Sequence, residues 1–333
     1  MLAASVSRSL PSSKRFSLSV LVCASIVIML FALTQGSASL SIREVWLALT
    51  GEGTPLATTL VMELRLPRIL AAYATGGLLA VAGALMQILL RNPLAEPYVL
   101  GISGGASVAA LVSILLGISG VLLSGAAFLG AMVSTVLVFG ISQAGRTSSS
   151  LRLLLTGVVI AAGWGALITL ILALAPPHKL PGMLYWLMGD LSYAGSPILP
   201  WCMLIAVCVV IVPLGRSLNV LARGALQAAS LGVDVKRLER LVFVLASLLT
   251  AVAVTTAGSV GFVGLVVPHL LRMVLGNDQR VTLPACALAG GCLLTLADTL
   301  ARVVIAPEQL PVGVITALLG VPTFLLLLRK GRL

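Results

Sequence analysis

Two arginines flank a proline in residues 63–70, which read ELRLPRIL. Arg65 and Arg68 stand at the head of an uncharged apolar run, and a third arginine, Arg302, follows Asp298 by four residues. A guanidinium group forms forked pairs with carboxylates. The order and spacing of Asp298 and Arg302 also favour an ion pair along one helix. These residues therefore indicate recognition of an acidic group or a local ion pair.

The sequence lacks the common signatures of enzymes. It has no G-x-x-x-x-G-K-[ST] loop, no H-E-x-x-H motif and no G-x-S-x-G motif, and His178 and His269 lie far apart. The five cysteines lie in apolar runs without a C-x-x-C pair, which is typical of packing residues. We predict that the chain is not an enzyme and has no catalytic residue, metal site or cofactor of its own.

Composition places the chain in a membrane. Of its 333 residues, 59% are hydrophobic and 9% are charged, whereas soluble domains carry about 25% charged residues. A run of about 20 apolar residues can cross a bilayer as a helix. We predict an all-α integral membrane protein with about ten transmembrane helices and short cytoplasmic coupling helices. The candidate spans are residues 16–34, 67–90, 97–116, 120–141, 152–175, 197–214, 241–257, 260–275, 283–301 and 310–328.

The basic residues predict the orientation. With a cytoplasmic N-terminus and alternating spans, 16 of the 21 Lys and Arg residues fall in cytoplasmic segments, as the positive-inside rule requires. This bias explains the net charge of +11 without a nucleic-acid partner. We predict cytoplasmic termini, a tail over residues 1–15 and one polytopic domain over residues 16–328. A signal peptide cleaved near Ala38 is the alternative for the first apolar run, whose length favours a retained helix. The exceptions to the charge rule are Arg43, Arg65, Arg68, Lys179 and Arg302.

Two predicted loops are longer than the others. The outer loop, about residues 176–197, has an apolar aromatic centre that favours a short interfacial or re-entrant helix. The inner loop, about residues 215–240, predicts one short helix over residues 219–230, a stop at Gly232 and an N-cap at Asp234. A small amphipathic helix of this kind suits a protein partner.

The span centres are essentially free of ionisable residues. Secondary transporters usually keep such residues in mid-membrane as ion relays. A transporter without a relay takes its energy from elsewhere, so the sequence predicts a separate energising subunit on the cytoplasmic side.

Six segments together resemble the FecCD-type permeases, the membrane subunits of ABC importers for iron–siderophore complexes, haem and vitamin B12. The resemblance extends from about residue 43 to residue 329 in the family's order. It implies a bacterial inner-membrane protein with two permease subunits, a second copy or a paralogue, around one path. It also implies contact with membrane lipid and two kinds of protein partner. These are a periplasmic substrate-binding protein and two cytoplasmic ATPase subunits, which hold ATP and Mg. The segments are ELRLPRILAA, GALMQILLRNPLAEPYVLGISGGAS, LQAASLGVDV, GSVGFVGLVVPHLLR, ADTLAR and EQLPVGVITALLGVPTFLLLL.

The resemblance also implies roles for individual residues. Arg65, Arg68 and Arg302 match the family's outward arginines, which meet glutamates of the binding protein. From the residues alone, contact with lipid phosphate is an equal alternative for Arg65 and Arg68. The positions that match the ATPase-coupling segment are Ala225, Leu226, Ala229, Leu231 and Gly232. The positions on the helix that matches the family's path-lining helix are Thr156, Gly157, Val159, Ile160, Gly163 and Trp164.

We therefore expect a permease subunit of a binding-protein-dependent ABC importer that moves a large metal chelate. Iron chelates dominate the family, and GMLYWLMGD in the outer loop resembles the vitamin B12 permeases in part. A stand-alone secondary transporter of a small apolar or chelate substrate is the first alternative, and a membrane enzyme is the second.

Overall fold

The computed structural model describes residues 12–36, 38–143, 150–192 and 194–329, and over these residues it contains helices and no strand. Of the predicted N-terminal tail, residues 1–11 lie outside the described residues, and the first helix begins at Ser12. The elements in chain order are α1 Ser12–Thr34, α2 Ile42–Thr50, α3 Pro55–Thr58, a π-helical segment Thr59–Arg65, α4 Leu66–Leu90, a 3₁₀ turn Pro97–Leu100, α5 Ile102–Leu115, α6 Gly120–Gln143, α7 Ser150–Leu174, a 3₁₀ turn Pro177–Lys179, α8 Leu180–Met188, α9 Ile198–Ile211, α10 Gly215–Arg223, α11 Ala225–Ser230, α12 Val235–Ala257, α13 Val263–Leu275, α14 Gln279–Val303 and α15 Val312–Arg329.

The structure confirms an all-helical membrane protein but not the exact number of spans. Six helices in the described residues are long and apolar enough to cross a membrane, or seven if α9 and α10, bent by 73°, form one span. Three further apolar helices, α5, α13 and α15, are shorter. Candidate spans 97–116 and 260–275 therefore begin with irregular backbone, and each continues as a short helix.

Helix α4 is the centre of the bundle. In the continuous helical run Pro55–Leu90, 94% of the most apolar window is buried. Gly76 of α4 faces Gly290 of α14, and Gly83 faces Gly264 of α13, so closely that a Cβ at these positions would collide with the opposite backbone. Small residues at such contacts allow membrane helices to pack backbone against backbone. The glycines that the sequence contains in these spans thus position α13 and α14 against α4.

The start of α4 differs from the expected helix start at Pro67. The chain is already helical from Pro55, and a π-helical segment, Thr59–Arg65, precedes α4. Proline has no N–H to donate to the preceding turn. In the wider π turn before it, the Leu66 N–H donates to the Val61 carbonyl, and this wider turn accommodates the missing proline donor. Arg65 and Arg68 consequently lie on one continuous helical segment.

The irregular starts of α5 and α13 contact each other. The Glu96 carboxylate accepts a hydrogen bond of 2.8 Å from the Phe262 N–H, directly before α13. The Tyr98 hydroxyl accepts one of 3.1 Å from the Val260 N–H. Irregular backbone at membrane depth is tolerated where protein groups satisfy it. These side chains supply part of that satisfaction for the break between α12 and α13.

The glycine contacts of α4 give a direct prediction. Replacement of Gly290 by alanine places a methyl group against the Gly76 carbonyl and the Ala80 side chain, and should destabilise the protein by about 1–3 kcal/mol. The matched control is Gly125→Ala in α6, where a Cβ meets nothing within 4 Å. Thermal unfolding of both variants in detergent, followed by circular dichroism, measures the difference. Equal midpoints for the two variants would contradict this account of α4 packing.

Candidate functional site

We call the end of the bundle where α4 begins the outer end, and the end where α4 finishes the inner end. At the outer end, Arg68 of α4 binds Asp298 of α14 through two guanidinium nitrogens, with Nη2 at 2.7 Å and Nε at 3.0 Å from Oδ1. Its Nη1 donates to Gln309 at 2.7 Å and to Ser192 at 3.2 Å. Arg68, one of the three predicted docking arginines, therefore links α4, α14 and two loops.

Arg302 shares the same carboxylate. Its Nε lies 3.1 Å from the second oxygen of Asp298, which is 1% exposed. This ion pair between residues four apart is the one that the sequence spacing favours. Its Nη1 also donates to the Gln35 carbonyl after α1 at 3.3 Å. Asp298 thus binds two arginines at once, a role that sequence reasoning missed although this residue is an acid within an apolar span.

Arg65 points to a different part of the outer end. Its guanidinium donates to the Leu33 carbonyl at 2.7 Å and to the Ala38 carbonyl, and the residue is 6% exposed. The Leu33 carbonyl belongs to the last turn of α1, where backbone oxygens lack helical partners and a cation is favoured. Arg65 therefore fastens α1 to α4 and makes no contact with Asp298. Glu63 is exposed and forms no ion pair within the described residues.

The outer arginine cluster, defined as Arg65, Arg68 and Arg302 with Asp298, has an excess of positive charge. Three guanidinium groups are balanced by one carboxylate, while the other contacts are neutral carbonyls, amides and hydroxyls. Burial restricts Arg65 and Arg302 to 6% exposure each. Arg68 is the most accessible of the three, with 12% of its side chain exposed.

Three of the predicted path residues on α7 pack inward. Gly157 is buried against Leu100, and Ile160 packs against the core. The Trp164 indole donates to the Ser134 hydroxyl at 2.9 Å. Their spacing of three and four residues places all three on one helix face, a pattern that a helical periodicity argument finds in the sequence.

The other predicted path residues lie off this face. Val159 is 72% exposed, Gly163 is exposed and Thr156 is half-buried. Only 6% of the apolar window of α7 is buried. A separate cavity of about 1060 Å³ at the outer end is lined by α8 and neighbouring loops, and includes no residue of α7.

The inner loop forms two helices where the sequence predicts one. Gly224, with φ of 138°, separates α10 from α11, because this backbone geometry suits glycine and interrupts the helix. Asp234 caps α12 as expected, and its carboxylate accepts from the Arg237 N–H. Leu221 and Ala228 are buried in the protein, so these apolar side chains are not available to a partner.

The predicted coupling residues lie together on the surface of this loop. Leu226 is 89% exposed and Leu231 is 70% exposed. Ala229 and Gly232 are exposed as well, and Ala225 is half-buried. Two large apolar side chains on a polar loop form a contact patch that a protein partner can cover.

Comparisons with known proteins agree with this architecture. The model of the FecCD transport family matches residues 23–330. The hemin transport system permease protein HmuU of Yersinia pestis is 36% identical over 326 residues, which cover 96% of each protein. The vitamin B12 import system permease protein BtuC of Shigella boydii is 38% identical, over 94% of this chain and 95% of that protein. A solved structure of an inward-facing metal-chelate type ABC transporter superposes with a TM-score of 0.85 at 30% identity, and covers 95% of this chain and 99% of its own.

The shared carboxylate of the outer arginine cluster gives the next prediction. Asp298→Asn leaves Arg68 and Arg302 without an anion in a largely buried site, which should cost about 3–5 kcal/mol. Glu308→Gln is the control, because Glu308 is an exposed acid at the same end. Unfolding midpoints in detergent measure both. A change no larger than that of the control would show that the ion pairs do not stabilise the bundle.

Proposed function

Since the chain belongs to the FecCD transport family and is the membrane permease subunit of an ABC importer, we propose that its cargo is a large metal chelate. The relatives named above carry hemin and vitamin B12, each a metal ion held in a macrocycle. The observation that carries the proposal is the surface of α7, which beyond Arg152 has no charged residue and has only 6% of its most apolar window buried. An apolar wall with small residues makes only weak contacts, so a bulky chelate can leave as readily as it enters.

The importer works with ATPase and substrate-binding partners. We propose two ATPase subunits that hold ATP and Mg, a second permease subunit and surrounding lipid. The open face of α7 supports the second permease, because Val159 and Gly163 would line a path only when another subunit closes it. The exposed patch at Leu226 and Leu231 supports an ATPase contact at the inner end. The basic bias supports cytoplasmic termini. On this proposal the chain itself hydrolyses no nucleotide.

The outer arginine cluster is proposed to receive acidic residues of the binding protein. Its three guanidinium groups with one carboxylate leave a positive surplus within the cluster. On this proposal Arg68, the most accessible of the three, makes the direct contact, and the buried Arg65 and Arg302 contribute through their electrostatic field. Charges at the rim of an interface speed encounter and fix register more than they add affinity.

ATP-driven uptake tests the function as a whole. Proteoliposomes that contain the chain with its ATPase should take up hemin or cyanocobalamin when binding protein and ATP are supplied. Leu226→Asp should abolish uptake, because it places a charge in the apolar contact with the ATPase. Gln227→Glu adds a charge to the same helix at an exposed polar position, and should keep uptake.

Two results would overturn this function. Uptake without any ATPase would make the chain a stand-alone secondary transporter. Equal uptake by Leu226→Asp and by the unaltered chain would remove the coupling role from α11.

Docking is tested by reversing one charge. Arg68→Glu should slow association of the binding protein about fivefold or more at low salt, and the difference should shrink as salt screens the charges. Arg43→Glu is the matched control, because Arg43 is an exposed arginine of the outer segment outside the cluster. Surface plasmon resonance with the permease in lipid nanodiscs measures both rates. An Arg68→Glu rate equal to that of Arg43→Glu at every salt concentration would exclude the docking role.

A further inference from the structure

A polar cavity of about 630 Å³ opens at the inner end of the bundle. It lies between the last turn of α4, helix α10, the end of α13 and the segment that leads into α14. Three arginines line it, Arg91, Arg223 and Arg272, together with the amides of Gln87 and Asn277. These residues belong neither to the exposed patch at Leu226 and Leu231 nor to the outer arginine cluster.

Carboxylates of this chain neutralise only part of that charge. Arg91 pairs with Glu239 at 3.1 Å, and Asp278 at the cavity wall pairs with Arg280 at 2.7 Å. The Arg280 side chain holds the pKa of Asp278 well below its usual range, so this carboxylate stays charged and paired. Arg223 and Arg272 have no carboxylate partner within the described residues.

The remaining acids cannot supply the missing charge. The chain has ten Asp and Glu residues, and all ten lie in the described part of the chain. At the inner end, Asp234 caps α12 and lies 3.9 Å from Arg237. Glu96 is bonded to Phe262 at the break before α13. The cavity therefore keeps a surplus of two positive charges that an outside anion can balance.

The position of Arg272 follows from a proline in its own helix. Pro268 has no N–H, so the Gly264 carbonyl one turn earlier lacks its helical donor. The Gln87 amide of α4 donates to this carbonyl at 3.3 Å. The Gln87 side-chain oxygen then accepts from Arg272. These contacts hold one side of the Arg272 guanidinium group. Arg272 forms no other hydrogen bond within the described residues.

We propose that this cavity binds a phosphate-bearing anion. The forked guanidinium groups of Arg223 and Arg272 match phosphate oxygens in number and geometry. A cavity of this size takes a phosphorylated headgroup or a small soluble phosphate. Basic pockets between membrane helices on the cytoplasmic side commonly bind anionic lipid headgroups. Arg223 ends α10, where the helix dipole favours a cation, and its side chain is exposed towards the cavity mouth.

Two arms of one experiment separate the sources of phosphate. In the lipid arm, the full chain is purified from nanodiscs with phosphatidylglycerol, and bound lipid is counted by native mass spectrometry. In the soluble arm, nanodiscs of phosphatidylcholine alone are titrated calorimetrically with glycerol 3-phosphate and with inorganic pyrophosphate. The proposal expects tight binding in at least one arm. Arg223→Gln combined with Arg272→Gln should weaken it about tenfold or more, because charged hydrogen bonds to the phosphate oxygens are lost from both guanidinium groups.

Arg237→Gln is the control for charge. It removes an arginine whose side chain is 88% exposed on the same end of the bundle, and it should leave binding unchanged. Arg223→Gln alone keeps the test decisive if the double variant is unstable, because Arg223 makes no side-chain hydrogen bond within the described residues.

Two outcomes overturn the proposal. Binding that is equal in the control and in the arginine variants would make the interaction a general effect of charge. No phosphate binding in either arm would exclude the proposal, and weaker ATPase association in Arg223→Gln would then assign the cavity to a carboxylate of the ATPase.

Discussion

Backbone contact around α4 is the interaction on which the rest of this bundle depends. Apolar side chains gain little by leaving lipid for a protein interior, so membrane helices associate mainly through close packing and polar contacts. Gly76 and Gly83 allow the backbone of α4 to approach the backbones of α14 at Gly290 and α13 at Gly264. The approach fixes both helices against α4. It thereby sets Asp298 beside Arg68 at the outer end and Arg272 beside Gln87 at the inner end.

The charges of the chain are arranged around that apolar centre. The sequence has 21 basic and 10 acidic residues, so complete internal pairing is impossible. At the outer end one buried carboxylate is shared by two arginines, and a third arginine is satisfied by a carbonyl in the last turn of α1 and one beyond it. At the inner end the acids that are present already hold other arginines. The positive excess of the chain therefore lies at the inner end, where acidic or phosphate groups of a partner are favoured, whereas at the outer end the positive charge is confined to the arginine cluster.

Much of the helical architecture could be predicted from the sequence, because long apolar runs identify membrane helices by composition alone. The apolar runs, the pair of Asp298 with Arg302 and the cap at Asp234 depend on local spacing, which the sequence contains. The inward direction of Arg65 could not be predicted, because its partners lie 27 and 32 residues earlier, in α1 and in the segment that follows it. The same holds for Arg68 and Asp298, which are 230 residues apart. The packing of α1, α4 and α14 brings such partners together, and no local sequence pattern predicts which residues meet.

The hydrogen bond from the Phe262 N–H to Glu96 has a mechanical consequence. Glu96 leads into α5, which continues to the outer end, and Phe262 leads into α13, which continues to the inner end. Phe262 adopts a left-handed backbone conformation, which is uncommon for a bulky residue, and its ring fills the space in front of Gly320. One carboxylate thus connects the segments that lead into the two short helices. Because the Tyr98 hydroxyl also accepts from the Val260 N–H, the starts of both helices are held together, and neither can be displaced alone without the loss of these two hydrogen bonds.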